Sequence, residues 1–151
     1  MGKLGFIGLG IMGRPMAENL LKGGQQVMVS DLNEAVVEEL RKQGAESGSY
    51  TDLAKACDII FTILPTGAIV QEVLFGENGV ASALRPGQVV CDMSSVTPGE
   101  SQTCYRRLKE MGVGFVDAPV SGGEPGAIAG TLAIMCGGDQ ADFDRLMPAF
   151  Q

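Results

Sequence analysis

The stretch Gly5-Phe6-Ile7-Gly8-Leu9-Gly10-Ile11-Met12-Gly13 decides how the rest of this sequence is interpreted. The apolar run from Lys3 to Ile7 predicts a buried strand, and apolar residues at helical spacing after the glycines predict a helix. The three glycines at positions 8, 10 and 13 lie between them with the spacing G-x-G-x-x-G. A strand, a glycine turn with this spacing and a helix together form the context that the dinucleotide-binding fingerprint requires.

Each glycine of the fingerprint has a separate mechanical role. Gly8 permits the tight turn, Gly10 lets the backbone approach a pyrophosphate, and Gly13 lets the helix pack closely on the strand. The unpaired N–H groups at the start of the helix favour phosphate oxygens. We therefore expect a dinucleotide to bind this loop, whose residues are Gly8, Leu9, Gly10, Ile11, Met12 and Gly13.

An acidic residue follows the second predicted strand, Val27–Ser30. Asp31 lies about where the fingerprint places a carboxylate for the adenosine ribose hydroxyls. The alternative is that Asp31 or Asn33 only caps the helix predicted over Glu34–Gln43. A carboxylate here repels a 2′-phosphate. Because no Lys or Arg follows Asp31 as far as Glu39, the sequence favours NAD over NADP.

Strand and helix patterns alternate through most of the remaining chain. A third predicted strand covers Asp58–Leu64, and later ones cover Val89–Met93, Gly112–Asp117 and Thr131–Cys136. Helices are predicted over residues 51–56, 69–75 and 99–111, and again after Asp139. This alternation predicts an α/β fold of the Rossmann type, with a doubly wound, mostly parallel sheet and helices on both faces. Residues 1–151 are expected to form one dinucleotide-binding domain.

Two segments beyond predicted strand ends are candidates for cofactor contact, because such ends face the ligand crevice in an open parallel sheet. Leu64 and Pro65 follow the third strand, where a plain turn into the next helix explains them equally well. Thr97 precedes Pro98 and suits a helix N-cap. Its hydroxyl also suits a ribose or a substrate carboxylate, and one residue can do both.

A third segment is a candidate substrate site. Ser121, Gly122 and Gly123 follow the strand that ends at Asp117. Their backbone N–H groups and the serine hydroxyl would make a natural anion cradle. The same residues also suit an ordinary loop.

Composition excludes several other classes of function. The net charge of −7 argues against nucleic acid or an anionic membrane as a partner. No apolar run is long enough to span a bilayer. The four cysteines have no C-x-x-C spacing and the chain has no histidine, so no metal site is expected and the cysteines are interpreted as buried hydrophobes. A strand at the N-terminus leaves no room for a signal peptide, which favours a cytoplasmic location.

With these motifs in place, the chain resembles the N-terminal cofactor domain of the β-hydroxyacid dehydrogenases. This family includes 3-hydroxyisobutyrate dehydrogenase and tartronate semialdehyde reductase, also called 2-hydroxy-3-oxopropionate reductase. The resemblance covers essentially all 151 residues and rests on Gly5 to Gly13, Leu64-Pro65, Asp92-Met93-Ser94-Ser95 and, most specifically, Asp117-Ala118-Pro119-Val120-Ser121-Gly122-Gly123. The continuation from Glu124 to Leu132 is most similar to the tartronate semialdehyde reductase branch.

The resemblance implies an NAD-dependent oxidoreductase that transfers hydride between the nicotinamide and a short 3-hydroxy acid. It implies that the glycine loop and Asp31 bind the nucleotide, that Leu64, Pro65 and Thr97 lie along it, and that Ser121, Gly122 and Gly123 hold the substrate.

Family members also carry a catalytic lysine and an all-helical, dimerising domain beyond the cofactor domain. No lysine of this chain matches that catalytic lysine. We therefore expect no catalytic residue and no turnover within residues 1–151, and a homo-oligomer for the full-length protein.

Two other interpretations stay open. The first is an enzyme similar to 6-phosphogluconate dehydrogenase, which shares the Ser-Gly-Gly feature. Such enzymes prefer NADP and typically carry Asn-Arg-Thr where this chain has Ser30-Asp31-Leu32. The second is a non-catalytic relative that uses the dinucleotide fold for scaffolding or sensing.

Overall fold

A computed structural model of the chain describes residues 3–10, 13–31, 33–64, 66–76, 79–94 and 98–117, together with 120–121, 133–134 and 137–138. The described strands are β1 (Leu4–Ile7), β2 (Val27–Ser30), β3 (Glu46–Ser47), β4 (Ile59–Thr62), β5 (Val89–Asp92), β6 (Gly114–Asp117), β7 (Val120–Ser121), β8 (Ala133–Ile134) and β9 (Gly137–Gly138). The described α-helices are α1 (Gly13–Lys22), α2 (Glu34–Lys42), α3 (Tyr50–Ala56), α4 (Gly67–Phe75) and α5 (Pro98–Glu110). A short 3₁₀ helix covers Val80–Ala83.

Seven of these strands form one sheet in the order β3-β2-β1-β4-β5-β6-β9. The pairs among β1 to β6 are parallel, whereas β9 pairs antiparallel with β6. Strands β7 and β8 pair with each other in a separate antiparallel ribbon. The order 3-2-1-4-5-6 is that of the Rossmann fold, so the predicted doubly wound, mostly parallel sheet is confirmed.

Alternate residues of the strands point into two separate apolar cores. One core joins the sheet to α1 and α2 through residues such as Ala17 and Leu40. The other joins the opposite face to α3, α4 and α5 through residues such as Leu53, Leu74 and Leu108. Helices therefore cover both faces of the sheet, as the alternating sequence pattern predicts.

Among the described strands, the sequence pattern missed three short ones, β3, β7 and β9, each of two residues. Glu46–Ser47 forms the short edge strand β3, so the segment predicted as the third strand is the fourth along the chain. Both residues of β3 are exposed, and an exposed two-residue edge has no hydrophobic alternation to reveal it. The helix predicted after Asp139 lies outside the described residues.

Three of the cysteines, Cys57, Cys91 and Cys104, are buried, which confirms their interpretation as core residues. Cys136 lies outside the described part of the chain. Among the described residues, no helix has both the length and the apolar character needed to cross a membrane.

Candidate functional site

The candidate site lies at the carboxyl ends of the central strands. The chain leaves β1 and β4 in opposite lateral directions, toward β2 and toward β5, so the strand order reverses between these two neighbours. Ligands of open α/β sheets bind in the crevice outside the strand ends at this kind of switch point. The glycine loop follows β1, Asp31 follows β2, and Leu64 follows β4.

The three glycines of the loop differ in their surroundings. Gly8 has φ +99°, and a Cβ there would collide with the carbonyl oxygen of Ile63. A Cβ at Gly13 would collide with the carbonyl oxygen of Gly8, so α1 starts in direct contact with the end of β1. A Cβ at Gly10 would meet nothing within 4 Å. The turn and the close packing therefore need Gly8 and Gly13, while the backbone at Gly10 faces open space.

The Asp31 carboxylate is bonded to the glycine loop. Its Oδ2 accepts a hydrogen bond from the Leu9 N–H at 2.6 Å, and its Oδ1 accepts one from the Asn33 N–H at 2.8 Å. The capping role belongs to Asn33, whose side chain accepts from the N–H groups of Ala35 and Val36 at the start of α2. Asp31 therefore does not cap α2. Of the two residues that the sequence offered as the cap, Asn33 has that role.

The electrostatic effect of Asp31 extends to the first residue of α3. Burial raises the pKa of Tyr50, and the negative charges of Asp31 and Glu72 raise it further. The Tyr50 side chain packs against the core on the α3 side of the sheet. This phenol therefore stays protonated at neutral pH.

Leu64 lies beside the glycine loop. A Cβ added at Gly8 would approach Cδ2 of Leu64 to 3.2 Å. The Leu64 N–H donates to the Ser94 hydroxyl at 2.7 Å. Thr66 is the N-cap of α4, with its hydroxyl accepting from the Ile69 N–H. The segment after β4 thus both starts a helix and borders the loop, so the two interpretations of it are compatible.

A buried polar cluster beneath this segment was missed by the sequence analysis. Thr62, Asp92 and Ser94 are each no more than 1% exposed. Asp92 Oδ1 accepts from the Thr62 hydroxyl at 2.9 Å and from the Ser94 N–H at 3.1 Å. The available signal was an acidic residue closing an apolar strand, because a buried carboxylate needs polar partners.

Several predicted site residues lie outside the described part of the chain, namely Ile11, Met12, Pro65, Thr97, Gly122 and Gly123. The backbone of Ser121 belongs to β7, where it pairs with Ala133 of β8. Among the described residues, no group of three His, Cys, Asp or Glu side chains could hold a metal ion.

The described residues fit a dinucleotide. A tight glycine turn runs directly into a helix start, the backbone at Gly10 has open space beside it, and a carboxylate stands at the end of the neighbouring strand. These features provide backbone donors for a pyrophosphate and an acceptor for ribose hydroxyls. Fold and site together define a dinucleotide-binding domain of the Rossmann class.

Comparison with known families makes this more specific. The family described as the NAD binding domain of 6-phosphogluconate dehydrogenase matches residues 3–151. The chain belongs to this family and is an NAD-binding domain of the type found in β-hydroxyacid dehydrogenases.

Characterised relatives are similar over nearly all of this chain. It is 49% identical over 150 residues to 2-hydroxy-3-oxopropionate reductase of Escherichia coli (strain K12), which covers 99% of this chain and 51% of the relative. It is 50% identical over 147 residues to 2-(hydroxymethyl)glutarate dehydrogenase of Eubacterium barkeri, which covers 97% of this chain and 49% of the relative. The chain therefore spans about half of the length of the curated relatives that it matches.

Solved structures agree with the family assignment. The 3-hydroxyisobutyrate dehydrogenase of Mycobacterium tuberculosis, described with L-serine, superposes with a TM-score of 0.93 at 32% identity, covering 99% of this chain and 51% of that one. Psf3, described in complex with NADP+ and 2-OPP, superposes with a TM-score of 0.93 at 28% identity, covering 97% of this chain and 52% of that one. These neighbours agree with the assignment to this family, and one of them is described with NADP+.

Proposed function

We propose that this chain is the cofactor-binding part of an NAD-dependent oxidoreductase that acts on a short 3-hydroxy acid or its semialdehyde. The observation that carries the proposal is the Asp31 carboxylate bonded to the Leu9 N–H, which places an acceptor for ribose hydroxyls against the glycine loop. The names of the two relatives near 50% identity support the reaction class, since both are oxidoreductases of hydroxy acids or their oxidised forms.

Asp31 also supports the choice of NAD. A 2′-phosphate would lie against its negative charge, and no Lys or Arg follows Asp31 as far as Glu39 to neutralise that phosphate. The ribose hydroxyls of NAD can instead donate to the carboxylate, whose oxygens keep acceptor capacity beyond the two backbone bonds they make. We infer that the preference for NAD follows from this single side chain.

For the substrate, we propose that Ser121, Gly122 and Gly123 bind its carboxylate or hydroxyl. The bound nicotinamide would supply or accept the hydride. Reduction of a carbonyl also needs a proton donor for the developing alkoxide. No histidine is present in the chain, and we propose that this donor is a lysine outside residues 1–151. A homo-oligomer is proposed for the whole protein.

The 6-phosphogluconate dehydrogenase alternative has less support. The family takes its description from that enzyme, yet the segment after β2 reads Ser30-Asp31-Leu32, with an acid where that enzyme typically carries a base. The relatives near 50% identity are not named for that activity.

Calorimetric titration with NADH and NADPH tests the cofactor proposal. We expect the chain to bind NADH at least about tenfold more tightly than NADPH, a difference of about 1.4 kcal/mol. Asp31→Ala should weaken NADH binding by about tenfold and reduce the preference for NADH over NADPH, because one charged acceptor is lost.

Asn33→Ala is the matched control for Asp31→Ala, because it removes only the cap of α2. It should lower the free energy of unfolding by about 1 kcal/mol and leave the NADH preference unchanged. Equal NADH affinity in wild type and Asp31→Ala, or a wild-type preference for NADPH, would contradict the proposal. Appreciable oxidation of 3-hydroxyisobutyrate by purified 1–151 would contradict the placement of the proton donor outside this chain.

A further inference from the structure

The buried polar cluster at the ends of β4 and β5 has no role in the cofactor contacts described so far. Thr62 and Asp92 are direct neighbours in the register of the two strands, and both are fully buried. Replacing a buried charged group by apolar residues of similar volume is often neutral or stabilising. A carboxylate in this position is therefore not explained by stability alone.

The hydrogen bonds of the cluster connect Asp92, through Ser94, to the segment that borders the glycine loop. The Thr62 hydroxyl donates to Asp92 Oδ1, and the same oxygen accepts from the Ser94 N–H. The Ser94 hydroxyl then accepts from the Leu64 N–H at 2.7 Å. Leu64 in turn lies next to Gly8. The carboxylate thus fixes Ser94, and Ser94 fixes the segment that borders the cofactor crevice.

These hydrogen bonds continue beyond the backbone ladder between β4 and β5. The last ladder bond between the two strands runs from the Met93 N–H to the Thr62 carbonyl at 2.7 Å. Beyond that bond the two segments separate, one toward α4 and the other toward α5, so side-chain hydrogen bonds must connect them. The Ser94–Leu64 bond does so on the crevice side, at the level of the glycine loop.

We propose that Thr62, Asp92 and Ser94 form a positioning clasp that holds Leu64 at the distance from the glycine loop that the cofactor requires. The proposal rests on the proposed function, because it assigns a role to these residues in dinucleotide binding. None of the three touches the cofactor in this proposal. They act through the backbone of Leu64.

Two substitutions open the clasp at different points. Ser94→Ala leaves the Leu64 N–H without its acceptor, and we expect the dissociation constant for NADH to rise about tenfold. Thr62→Val keeps the volume of the side chain and removes the donor to Asp92, which should raise the dissociation constant about fivefold. Thr62→Ser keeps the hydroxyl and should restore NADH affinity to within about twofold of wild type.

Gln88 supplies the matched control, because it is a buried polar residue directly before β5, at the end opposite Asp92. Its Nε2 donates to the carbonyls of Ala54 and Cys57 at 2.6 and 2.7 Å. Gln88→Met should destabilise the fold at least as much as either clasp variant, since it leaves two buried carbonyls without a donor. Its NADH affinity should stay within about twofold of wild type.

Parallel urea unfolding and NADH titration of all five proteins separate the outcomes. If wild type binds NADH and the Ser94→Ala and Thr62→Val variants bind it equally well, the clasp is refuted and the proposed function stands. If Gln88→Met weakens NADH binding as much as Ser94→Ala, the cluster has only a structural role and the clasp is again refuted. If wild type binds no NADH, the proposed function fails and the clasp fails with it.

Discussion

The parallel sheet has a carboxyl edge, where its strands end, and an amino edge, where they begin. Buried polar groups are satisfied in opposite ways at these two edges. At the carboxyl edge, side chains accept hydrogen bonds from backbone N–H groups: Asp31 from Leu9, and Ser94 from Leu64. At the amino edge, side chains mainly donate to backbone carbonyls, and one of them, Gln88, also accepts from the Arg85 N–H. Gln88 donates to two carbonyls near the end of α3, and the Arg85 guanidinium donates to a third.

The direction of the helices explains this difference. In a parallel sheet with crossover helices, every helix starts at the carboxyl edge and ends at the amino edge. Helix starts leave N–H groups unpaired, and helix ends leave carbonyls unpaired. Acidic and hydroxyl side chains therefore suit one edge, and amide and guanidinium side chains suit the other. The N–H groups of helix starts, which suit an anionic ligand, therefore lie at the carboxyl edge, where the glycine loop lies.

The largest expected effect comes from closing the contact at the start of α1. Gly13→Ala places a methyl group against the carbonyl oxygen of Gly8, a backbone atom that cannot move aside cheaply. We expect the free energy of unfolding to fall by about 3 kcal/mol, measured by urea denaturation. NADH binding should also be lost, because the start of α1 can no longer pack closely against the glycine loop.

Gly10→Ala is the control within the same loop. A methyl group there meets no protein atom within 4 Å, so the free energy of unfolding should change by no more than about 0.5 kcal/mol. NADH affinity should nevertheless fall about tenfold, because the methyl group occupies the space of the pyrophosphate. Similar stability losses for the two variants would show that the glycines do not divide their roles as described.

A smaller effect is expected where α4 and α5 meet above the clasp. A Cβ at Gly67 would collide with the Glu100 carboxylate, and Gln71 Nε2 lies 3.2 Å from the Cys104 sulfur one turn further along. Gly67→Ala should destabilise the protein by about 1 kcal/mol, although alanine is the better helix former. The Glu100 side chain can move, which keeps the cost moderate.

Gly67→Ala should become stabilising once the Glu100 carboxylate is removed. In a Glu100→Ala background we expect Gly67→Ala to stabilise the protein by about 0.5 kcal/mol, giving a coupling of about 1.5 kcal/mol in a double-mutant cycle. Additive effects of the two substitutions would mean that the carboxylate does not occupy this space.

Much of the fold could be predicted because the parallel strands are buried on both faces. Runs such as Ile59–Phe61 are apolar throughout, and Gly8, Gly10 and Gly13 mark the turn between the first strand and the first helix. The position of Asp31 next to the glycine loop also followed from its place after Val27–Ser30. These features are local in sequence, so patterns can reveal them.

The rest depends on contacts that no local pattern records. Ser94 is 30 residues away from Leu64, and no local pattern indicates that the Ser94 hydroxyl accepts from the Leu64 N–H. The roles of Asp31 and Asn33 could be separated only by seeing which N–H groups each side chain accepts from. The short strand β3 has no pattern at all, since its pairing with β2 depends on backbone groups alone.

The smallest effect concerns pH, and it tests a carboxylate that accepts hydrogen bonds at a helix start, at the carboxyl edge. Asp52, in the first turn of α3, forms a capping box with Ser49. Hydrogen bonds from the Ser49 N–H and hydroxyl lower the pKa of Asp52 below its usual value. A lowered pKa in the folded state means that this carboxylate contributes stability above its unfolded pKa and loses that contribution as the pH falls.

Asp52→Asn should therefore lower the melting temperature at neutral pH, and the difference from wild type should shrink below about pH 4 as the native carboxylate becomes protonated. Asp58→Asn removes the same charge before β4 at the amino edge, away from any helix start, so the difference between the two variants isolates the cap. Thermal unfolding followed across this pH range measures both. A constant melting-temperature difference for Asp52→Asn at every pH would mean that the carboxylate's charge does not stabilise the start of α3.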